Sequence, residues 1–394
     1  MTFMPYDEHW RRARRLFWQC FQPNVVEQWH TSQTLETRRL LRHLLENPED
    51  VEEATKLAIT RSLLSTAYGL PAKDAGARFV ELLNTIEDCI CEAYSPTVLA
   101  LPWLRRLPAW CPGGYWRRQL ARWMHLARKA LELPFEAARD AMDRGDAKQA
   151  MLTQLSHILN EDEAGAKQAL TKNVAATTFL AGTDTTVGTL LGFFCAMLLH
   201  PEVQKRAQEE LDIVVGPDRL PQFTDRASLP YVNAVVKEAL RWHNITPFGV
   251  PHSCTAEDEY RGWRMPKGAT VMVNVWGILH DPDQYLNPGA FNPDRFLKNG
   301  ELNEDILDPA AVMFGFGRRI CPGRYFADNS LFINIACLLH VFDIKLAVDE
   351  HGAAIPVEYS VTSGLASTVV PFKCSVRPRS TAAEVLVREG PDVE

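Results

Sequence analysis

The amino-acid sequence predicts a mainly α-helical protein with small β-sheets in its C-terminal half. Apolar residues recur at helical spacing through most of the chain from Trp10 to Val214. After Leu229, one more helical segment leads into short β-prone runs that Pro and Gly separate. With 394 residues, of which 46% are hydrophobic and 23% charged, the chain can bury one large core and is unlike disordered proteins in composition.

The apolar periodicity predicts helices over residues 10–20, 35–45, 51–68, 75–94, 115–142 with an interruption at Pro134, 164–199, 201–214, 229–243 and 325–342. The proline-rich connection over 96–112 is predicted to be a loop. We expect Trp103 and Trp110 to pack beneath it; a substrate-channel rim or a membrane-resting surface is the alternative. Residues from Ser380 onward are expected to form a frayed tail.

Charge and cysteine content exclude some classes of protein. The formal net charge is −7, so no overall positive field attracts nucleic acid. Nine cysteines spread over a chain of this length do not resemble the paired framework of a small secreted domain, which favours a reducing compartment. The first residues, MTFMPYDEHWRRARR, lack the apolar run of a secretory signal or a starting anchor.

One apolar segment, residues 174–199, is long enough to cross a bilayer. Asp184 and its neighbouring threonines would lie near the bilayer centre, where a carboxylate costs about 2.5 to 3.5 kcal/mol. We therefore predict a buried helix of a large core, with a membrane span as the weaker alternative.

The sharpest motif is Phe314-Gly-Phe-Gly317-Arg-Arg319-Ile-Cys321-Pro-Gly323, which a predicted helix follows directly. A glycine-rich, basic loop that delivers a cysteine to a helix N-terminus stabilises a thiolate, so we expect Cys321 to be an anion. The glycines permit close approach of a flat group such as haem, and Phe314 can shield the sulfur from water. A buried structural cysteine in a turn is an equal alternative on this pattern alone.

A second pattern is Glu238-Ala-Leu-Arg241, whose spacing puts a carboxylate and a guanidinium on one helix face. Alone it means little, because exposed pairs of this kind contribute about 0.3 to 0.5 kcal/mol. The irregular segment 281–309 needs anchors, and Arg295 lies within it. We expect Glu238, Arg241 and Arg295 to form a network that fixes this segment.

A third pattern is Ala181-Gly182-Thr-Asp184-Thr185-Thr186, in the middle of the apolar helix. Glycine lowers helix stability, and Asp and Thr in a buried helix need partners. The cluster indicates a local distortion in which an acid beside an alcohol can relay protons. A helix bend with satisfied polar side chains is the alternative.

Together these motifs resemble those of the cytochrome P450 family. The Cys321 loop is similar to the family's FxxGxRxCxG signature, and 238–241 to its ExxR helix. Residues 291–296 resemble its arginine-containing meander, and 181–186 its (A/G)Gx(D/E)T(T/S) oxygen-activation motif. Four matches in the family's order cover nearly the whole chain, and RRICPGRYFADNSLF and GVPHSCT are most similar to fungal microsomal members.

The resemblance implies the cytochrome P450 fold, with one domain over 1–379 and a tail over 380–394. It begins at Trp10-Arg-Arg-Ala-Arg14, which is similar to the family's C helix. Members usually carry a membrane anchor, the first strands and the B helix ahead of this point. We therefore expect an N-terminally incomplete fold, and either a truncated gene product or a fragment.

The resemblance also implies site roles. Cys321 would be the axial thiolate ligand of haem b, with iron as the metal, and thiolate electron density favours O–O cleavage. Asp184 and Thr185 would deliver protons while dioxygen is activated, and Ala181 and Gly182 would leave room for O2. The remaining expected haem contacts are Trp10, Arg14, His252 and Arg319, which meet the propionates, together with Phe314 and Gly323. A surface histidine is the alternative for His252, and Glu238, Arg241 and Arg295 are expected to be structural.

The function that the resemblance implies is a haem-thiolate monooxygenase acting on an apolar small molecule, such as a fungal terpenoid, polyketide or aromatic secondary metabolite. Electrons would come from an NADPH-dependent cytochrome P450 reductase, for which Arg11, Arg12 and Arg15 form a candidate docking stripe; a solvated helix face is the equal alternative. We expect a monomer at the cytoplasmic face of the endoplasmic reticulum membrane, or in the cytoplasm. A non-catalytic haem-binding remnant is the alternative function.

Overall fold

The computed structural model describes residues 1–70 except Phe3, residues 79, 82, 108 and 110, and residues 115–145, 149–158 and 164–390. The predicted helix over 75–94 and most of the connection over 96–112, including Trp103, lie outside this part of the chain. Within it the helices are α1 (Glu8–Phe21), α2 (His30–Glu46), α3 (Val51–Tyr68), α4 (Tyr115–Asp143), α5 (Met151–Ile158), α6 (Ala164–Leu199), α7 (Pro201–Val214), α8 (Pro230–Trp242), α9 (Val275–Leu279), α10 (Ala310–Met313), α11 (Arg324–Val341) and α12 (Thr381–Glu389).

The β-structure of the described residues consists of short antiparallel pairs, in agreement with the predicted small sheets. The pairs are β1 (His252–Ser253) with β4 (Thr270–Val271), β2 (Asp258–Tyr260) with β3 (Trp263–Met265), β5 (Leu297–Lys298) with β6 (Glu301–Leu302), and β7 (Phe342–Leu346) with β8 (Cys374–Pro378). In the longest pair Ile344 lies opposite Val376, and both side chains are buried. The mainly α fold class is therefore confirmed.

Two helices form the centre of the core. α11 is buried over nearly its whole length from Phe326, and α6 packs against α1, α3, α4, α5 and α11. Both are apolar on all sides, which is the pattern of a helix surrounded by other helices. By length and composition, residues 168–199 of α6 could cross a membrane, but 78% of the apolar window is buried inside the protein. This burial agrees with the predicted core helix.

Three local expectations are wrong. α4 continues through Pro134, because Pro134 and Phe135 are buried and the apolar face of the helix packs on both sides of the proline. Residues 381–389 form α12 instead of a frayed tail: Ser380 caps the helix by accepting a hydrogen bond from the Ala383 N–H, and Val387 packs into the core. Trp110 does not pack beneath a loop, since 85% of it is exposed.

A close contact joins α6 to the end of α8. His243 follows α8, is buried, and has its Nδ1 3.0 Å from the hydroxyl of Tyr359. Burial lowers the pKa of His243 to about 4, so the imidazole is neutral at neutral pH. Gly192 of α6 faces this ring, and a Cβ at residue 192 would lie 2.6 to 2.8 Å from the Cδ2, Cγ and Cβ atoms of His243. Only glycine lets the two elements approach this closely.

We predict that Gly192→Ala lowers the free energy of unfolding by about 1 to 3 kcal/mol, because the overpacking exceeds the gain in helix propensity. Gly289→Ala is the matched control, since an added Cβ there meets nothing within 4 Å. Urea unfolding curves of both variants and the wild type provide the measurement. A Gly192→Ala variant as stable as the control would contradict the tight contact.

Candidate active site

The Cys321 loop is held by backbone hydrogen bonds on both sides of the cysteine. The Cys321 N–H donates to the Phe314 carbonyl at 2.7 Å, and Arg324 Nη1 donates to the Cys321 carbonyl at 3.0 Å. The Gly323 N–H donates to the cysteine sulfur. A 3₁₀ turn, Gly317–Arg319, precedes the cysteine and α11 follows it, as the sequence predicts. The side chain of Cys321 is therefore presented by a fixed backbone.

The surroundings of Cys321 contain groups that favour a thiolate and burial that opposes it. Burial is the largest influence and raises the pKa of the thiol, while the Gly323 N–H and the guanidinium groups of Arg14 and Arg324 lower it by less. The Gly323 N–H and the two guanidinium groups favour a thiolate. Their combined effect on the pKa is smaller than the effect of burial. A positive charge bound at the sulfur would complete the stabilisation.

The glycines before the cysteine leave open space. Gly315 has φ 73° and Gly317 has φ 59°, the left-handed region in which side chains are strained. A Cβ added at either residue meets nothing within 4 Å. Phe314 is half-buried and packs against the core. The backbone thus turns tightly and remains open on one side, which suits the approach of a flat group.

Cations and aromatic rings gather beside this loop. Arg319 stacks 4.4 Å from the ring centroid of the buried Trp10, and Arg14 lies 6.0 Å from the same ring. Arg14 donates to the Ile320 carbonyl, and Arg319 donates to the Met4 carbonyl at 2.8 Å. The structure therefore brings together three of the four residues expected to meet propionates.

His252, the fourth, lies on a different element. It lies on the exposed strand β1, where it is paired with Val271 of β4. No hydrogen bond within the described residues links His252 to Trp10, Arg14 or Arg319.

One face of α6 is open although the rest of the helix is buried. Ala181 is exposed, and Asp184 and Thr185, which follow at helical spacing, are half-buried. Thr185 Oγ1 donates to the Ala181 carbonyl at 3.0 Å, and Thr186 Oγ1 donates to the Gly182 carbonyl at 2.7 Å. Carbonyl groups of α6 accept the hydrogen bonds of these hydroxyl groups. The helix therefore carries polar side chains on this face and remains regular.

Gly182 lies where α6 meets α3. An added Cβ at residue 182 would lie 3.0 and 3.2 Å from the two δ-methyl groups of Leu63 in α3. The missing side chain therefore allows α3 and α6 to approach each other, and it does not enlarge the open face that carries Ala181. The sequence motif alone could not reveal which side of the helix the glycine faces.

Glu238, Arg241 and Arg295 form the expected network. Glu238 and Arg241 are completely buried, and Arg241 Nε and Nη2 donate to the two Glu238 carboxylate oxygens at 2.7 and 2.8 Å. Arg295 Nε donates to Glu238 Oε1 at 3.2 Å. The Asn292 N–H donates to the same oxygen at 2.7 Å, a contact that the sequence analysis missed.

The remaining donors of this network fix the irregular segment. Arg241 donates to the carbonyls of Leu279 and Ala290 at 3.0 Å each. Arg295 Nη1 donates to the Leu286 carbonyl at 2.8 Å. The tyrosine of this segment, Tyr285, donates its hydroxyl to the Leu307 carbonyl at 2.7 Å. Residues 280–296, which contain no α-helix or β-strand, are thereby tied to α8 and to each other.

Comparisons with known proteins decide the family. The cytochrome P450 family model matches residues 1–363. The chain belongs to the cytochrome P450 family. It is 37% identical over 396 residues to cytochrome P450 monooxygenase COX1 of Coprinopsis cinerea, covering 98% of this chain and 76% of that protein, and 39% identical over 395 residues to COX2 of the same fungus, covering 99% and 75%. Cytochrome P450 monooxygenase claR of Ampulloclitocybe clavipes is 38% identical, over 98% of this chain and 72% of that protein.

This cytochrome P450 is a monooxygenase, and the family uses haem with a cysteine thiolate as iron ligand, O2 and a redox partner. The donor set fits that group. Cys321 is a partly buried cysteine whose sulfur has an N–H donor and two nearby cations. Gly315 and Gly317 leave open space, and Arg319 is a cation that donates to a backbone carbonyl, which a carboxylate can replace. Arg324, which the sequence analysis did not single out, follows the motif directly and contributes one of those cations.

We predict that removal of the buried carboxylate in Glu238→Ala destabilises this P450 by about 3 to 5 kcal/mol, because it leaves the Arg241 charge buried without its partner. Arg206→Ala is the control, since Arg206 pairs with Asp294 of the same segment but at an exposed position, and it should cost less than about 1 kcal/mol. Chemical denaturation of the two variants gives both values. Equal losses would show that the buried network does not dominate the anchoring of this segment.

Proposed function

We propose that this monooxygenase inserts one oxygen atom of O2 into an apolar small molecule, a terpenoid, polyketide or aromatic secondary metabolite, with electrons from an NADPH-dependent cytochrome P450 reductase. The observation that carries the proposal is the fixed presentation of Cys321, whose sulfur accepts the Gly323 N–H beside two guanidinium groups. The alternative, a non-catalytic haem-binding remnant, has no such observation in its favour. The turnover experiment below tests it.

In this proposal Cys321 Sγ would hold the iron of haem b, and haem, when bound, would supply the oxygen-activating chemistry. Arg14 and Arg319 neutralise the propionates, and Trp10 holds the Arg319 guanidinium against its ring. Arg319, which donates to the Met4 carbonyl, would donate instead to a propionate carboxylate, which is the stronger acceptor because it is charged. Phe314 keeps water from the sulfur.

Asp184 and Thr185 are the proposed proton donors. They lie side by side on the open face of α6, and the Thr185 hydroxyl, which donates to the Ala181 carbonyl, keeps its lone pairs free to accept a proton. The partly buried Asp184 carboxyl can pass protons along this face. Ala181, with its small exposed side chain, leaves space for a small molecule between the helix and its surroundings.

An apolar substrate fits the surroundings of this face. Ile245, which follows α8, contacts α6 at Gly188, one turn beyond Asp184. The loop that continues from Ile245 exposes Phe248 and Val250. The apolar contact of Ile245 with α6 and the exposed apolar side chains of the following loop support a hydrocarbon-rich ligand. Apolar walls distinguish only weakly between substrates that differ by one methylene group, so related substrates would compete for the site.

The reductase is proposed to dock on α1. Arg11, Arg12 and Arg15 are exposed on the helix that also carries Trp10 and Arg14. A cationic helix face beside the haem contacts can attract an acidic flavoprotein surface and bring the electron donor close. We further propose a monomer that works at the cytoplasmic face of the endoplasmic reticulum membrane.

The carbon monoxide spectrum tests the ligand. We expect the chain reconstituted with haem and reduced to give, with carbon monoxide, the red-shifted Soret band that is typical of thiolate ligation. Cys321→Ser should lose this band, because serine does not supply a thiolate, and Cys254→Ser should keep it, since Cys254 lies outside the loop. Haem uptake without the thiolate band in the unchanged chain would contradict the assignment of Cys321.

Turnover separates the monooxygenase from the remnant. With reductase, NADPH and a panel of terpenoid, polyketide and aromatic compounds, the chain should form products that carry one added oxygen atom. A normal thiolate spectrum with no product from any compound and no electron transfer from the reductase would favour the remnant.

We predict that the triple variant Arg11→Glu, Arg12→Glu, Arg15→Glu raises the KM for the reductase by at least about tenfold and flattens its salt dependence, because exposed interface charges act on association. The carbon monoxide spectrum should not change. The matched control reverses the charge of three exposed cations that belong to separate ion pairs elsewhere, Lys205, Arg264 and Lys298. Stopped-flow reduction provides the measurement, and an equal effect in the control triple would contradict docking on α1.

A further inference from the structure

A pocket lies between the Cys321 loop and α8, and we call it the α8 pocket. Its walls come from the 3₁₀ turn Phe223–Ser228, α8, the segment 301–311, the loop residues Phe314 and Ile320, and the start of α11. Its volume of about 890 Å³ is within the range of small-molecule sites, roughly 300 to 1,000 Å³. None of the described residues that line it belongs to α1 or α6, so the pocket is separate from the open face of α6.

Much of the wall of the α8 pocket is apolar. Val236 and Leu240 of α8 are buried, and Phe314 packs against the core. Leu302 is 38% exposed, and Ala311, whose small side chain leaves room, is also exposed. An apolar ligand would remove such side chains from water, which is favourable. The wall therefore suits a ligand with a hydrocarbon body.

Six charged side chains also line the pocket, and four of them form two ion pairs. Arg226 Nη1 and Nη2 donate to the two carboxylate oxygens of Asp328 at 2.8 and 3.0 Å. Lys237 donates to Asp308. Because each of these cations already has a carboxylate partner, neither is the first choice of an anionic ligand.

Arg324 has neutral partners only. Its Nη1 donates to the Cys321 carbonyl and its Nη2 to the Tyr325 hydroxyl, both at 3.0 Å. No carboxylate in the described part of the chain forms an ion pair with it. The guanidinium lies 4.3 Å from the ring centroid of Tyr325 and 5.5 Å from that of Trp18, and these rings hold it in place. Its remaining N–H donors can serve an acceptor in the pocket.

The charge balance of the lining favours a monoanion. The sixth charged residue is Glu301, which is exposed, so the lining contains three cations and three acids. A dianion such as a phosphate monoester would be repelled by the acids more strongly than a carboxylate is. A carboxylate also matches the planar donor geometry of a guanidinium.

We propose that the α8 pocket binds an apolar monocarboxylate. The carboxylate accepts hydrogen bonds from Arg324, and the hydrocarbon body covers Leu302, Ala311 and Phe314. This site is distinct from the proposed substrate site on α6. The proposal does not depend on the proposed reaction, because binding is measured without turnover.

The test is equilibrium dialysis of the haem-loaded full chain against radiolabelled decanoate, with decan-1-ol as the uncharged analogue. Decanoate should bind more tightly than decan-1-ol. Arg324→Gln should raise the Kd of decanoate by about tenfold or more, since hydrogen bonds between charged groups contribute on that scale, and should leave the Kd of decan-1-ol nearly unchanged. Arg264→Gln, which removes an exposed cation outside the pocket, is the matched control and should bind both ligands like the unchanged chain.

A second variant tests the apolar part without changing Arg324. Ala311→Trp should fill the pocket and raise the Kd of both ligands by about tenfold or more. Ala382→Trp, at an exposed position of α12, is its matched control. Circular dichroism and the carbon monoxide spectrum of Ala311→Trp should match those of the unchanged chain, which excludes loss of folding.

The outcomes distinguish this pocket from other binding sites. Weaker decanoate binding in Ala311→Trp, with unchanged binding in Ala382→Trp, would support the proposal. Decanoate binding that Ala311→Trp does not weaken would place the ligand elsewhere on the protein and overturn it. Equal affinities for decanoate and decan-1-ol, or equal losses in Arg324→Gln and Arg264→Gln, would overturn the role of Arg324 and with it the assignment of a carboxylate.

Discussion

The buried ion pair of Glu238 and Arg241 is the interaction on which the rest of the site depends. Removing both charges from water is costly, and mutual attraction compensates for it only when the remaining donors and acceptors are satisfied. Here Glu238 also accepts from Asn292 and Arg295, and Arg241 donates to the carbonyls of Leu279 and Ala290. The charges thus serve as the anchor of a long irregular segment, and that segment leads directly into the helix and loop that present Cys321.

Much of the helical framework could be predicted because its causes are local. α3, α6 and α7 begin and end at the predicted residues, since proline, glycine and the change of periodicity mark those ends in the sequence. α12 was missed because it is short, and because its stability depends on the Ser380 cap and on packing against α2. The path of α4 through Pro134 also depends on burial, which outweighs the intrinsic cost of an internal proline.

The features of the site also fall into those that the sequence predicts and those that depend on the fold. The Glu238 network could be predicted, because ions that share a buried helix face have few alternatives to pairing. The side of α6 that Gly182 faces could not, because it depends on where Leu63 of α3 lies. The pKa of Cys321 is a balance between burial, which raises it, and the Gly323 N–H and two guanidinium groups, which lower it. A sequence identifies the groups that stabilise a thiolate, but it does not state how much water the fold removes from the sulfur.

This balance has a chemical consequence for a haem-binding protein. A thiol that the fold alone held as an anion would be nucleophilic and open to oxidation before the cofactor arrived. Desolvation disfavours the anion, while the fixed N–H of Gly323 and the cations Arg14 and Arg324 are already oriented toward it. A thiolate at this position is therefore favoured by the Gly323 N–H and the guanidinium groups of Arg14 and Arg324 and opposed by burial. The loop that orients these donors follows the segment that the Glu238 network anchors, so the position of the sulfur depends on that buried ion pair.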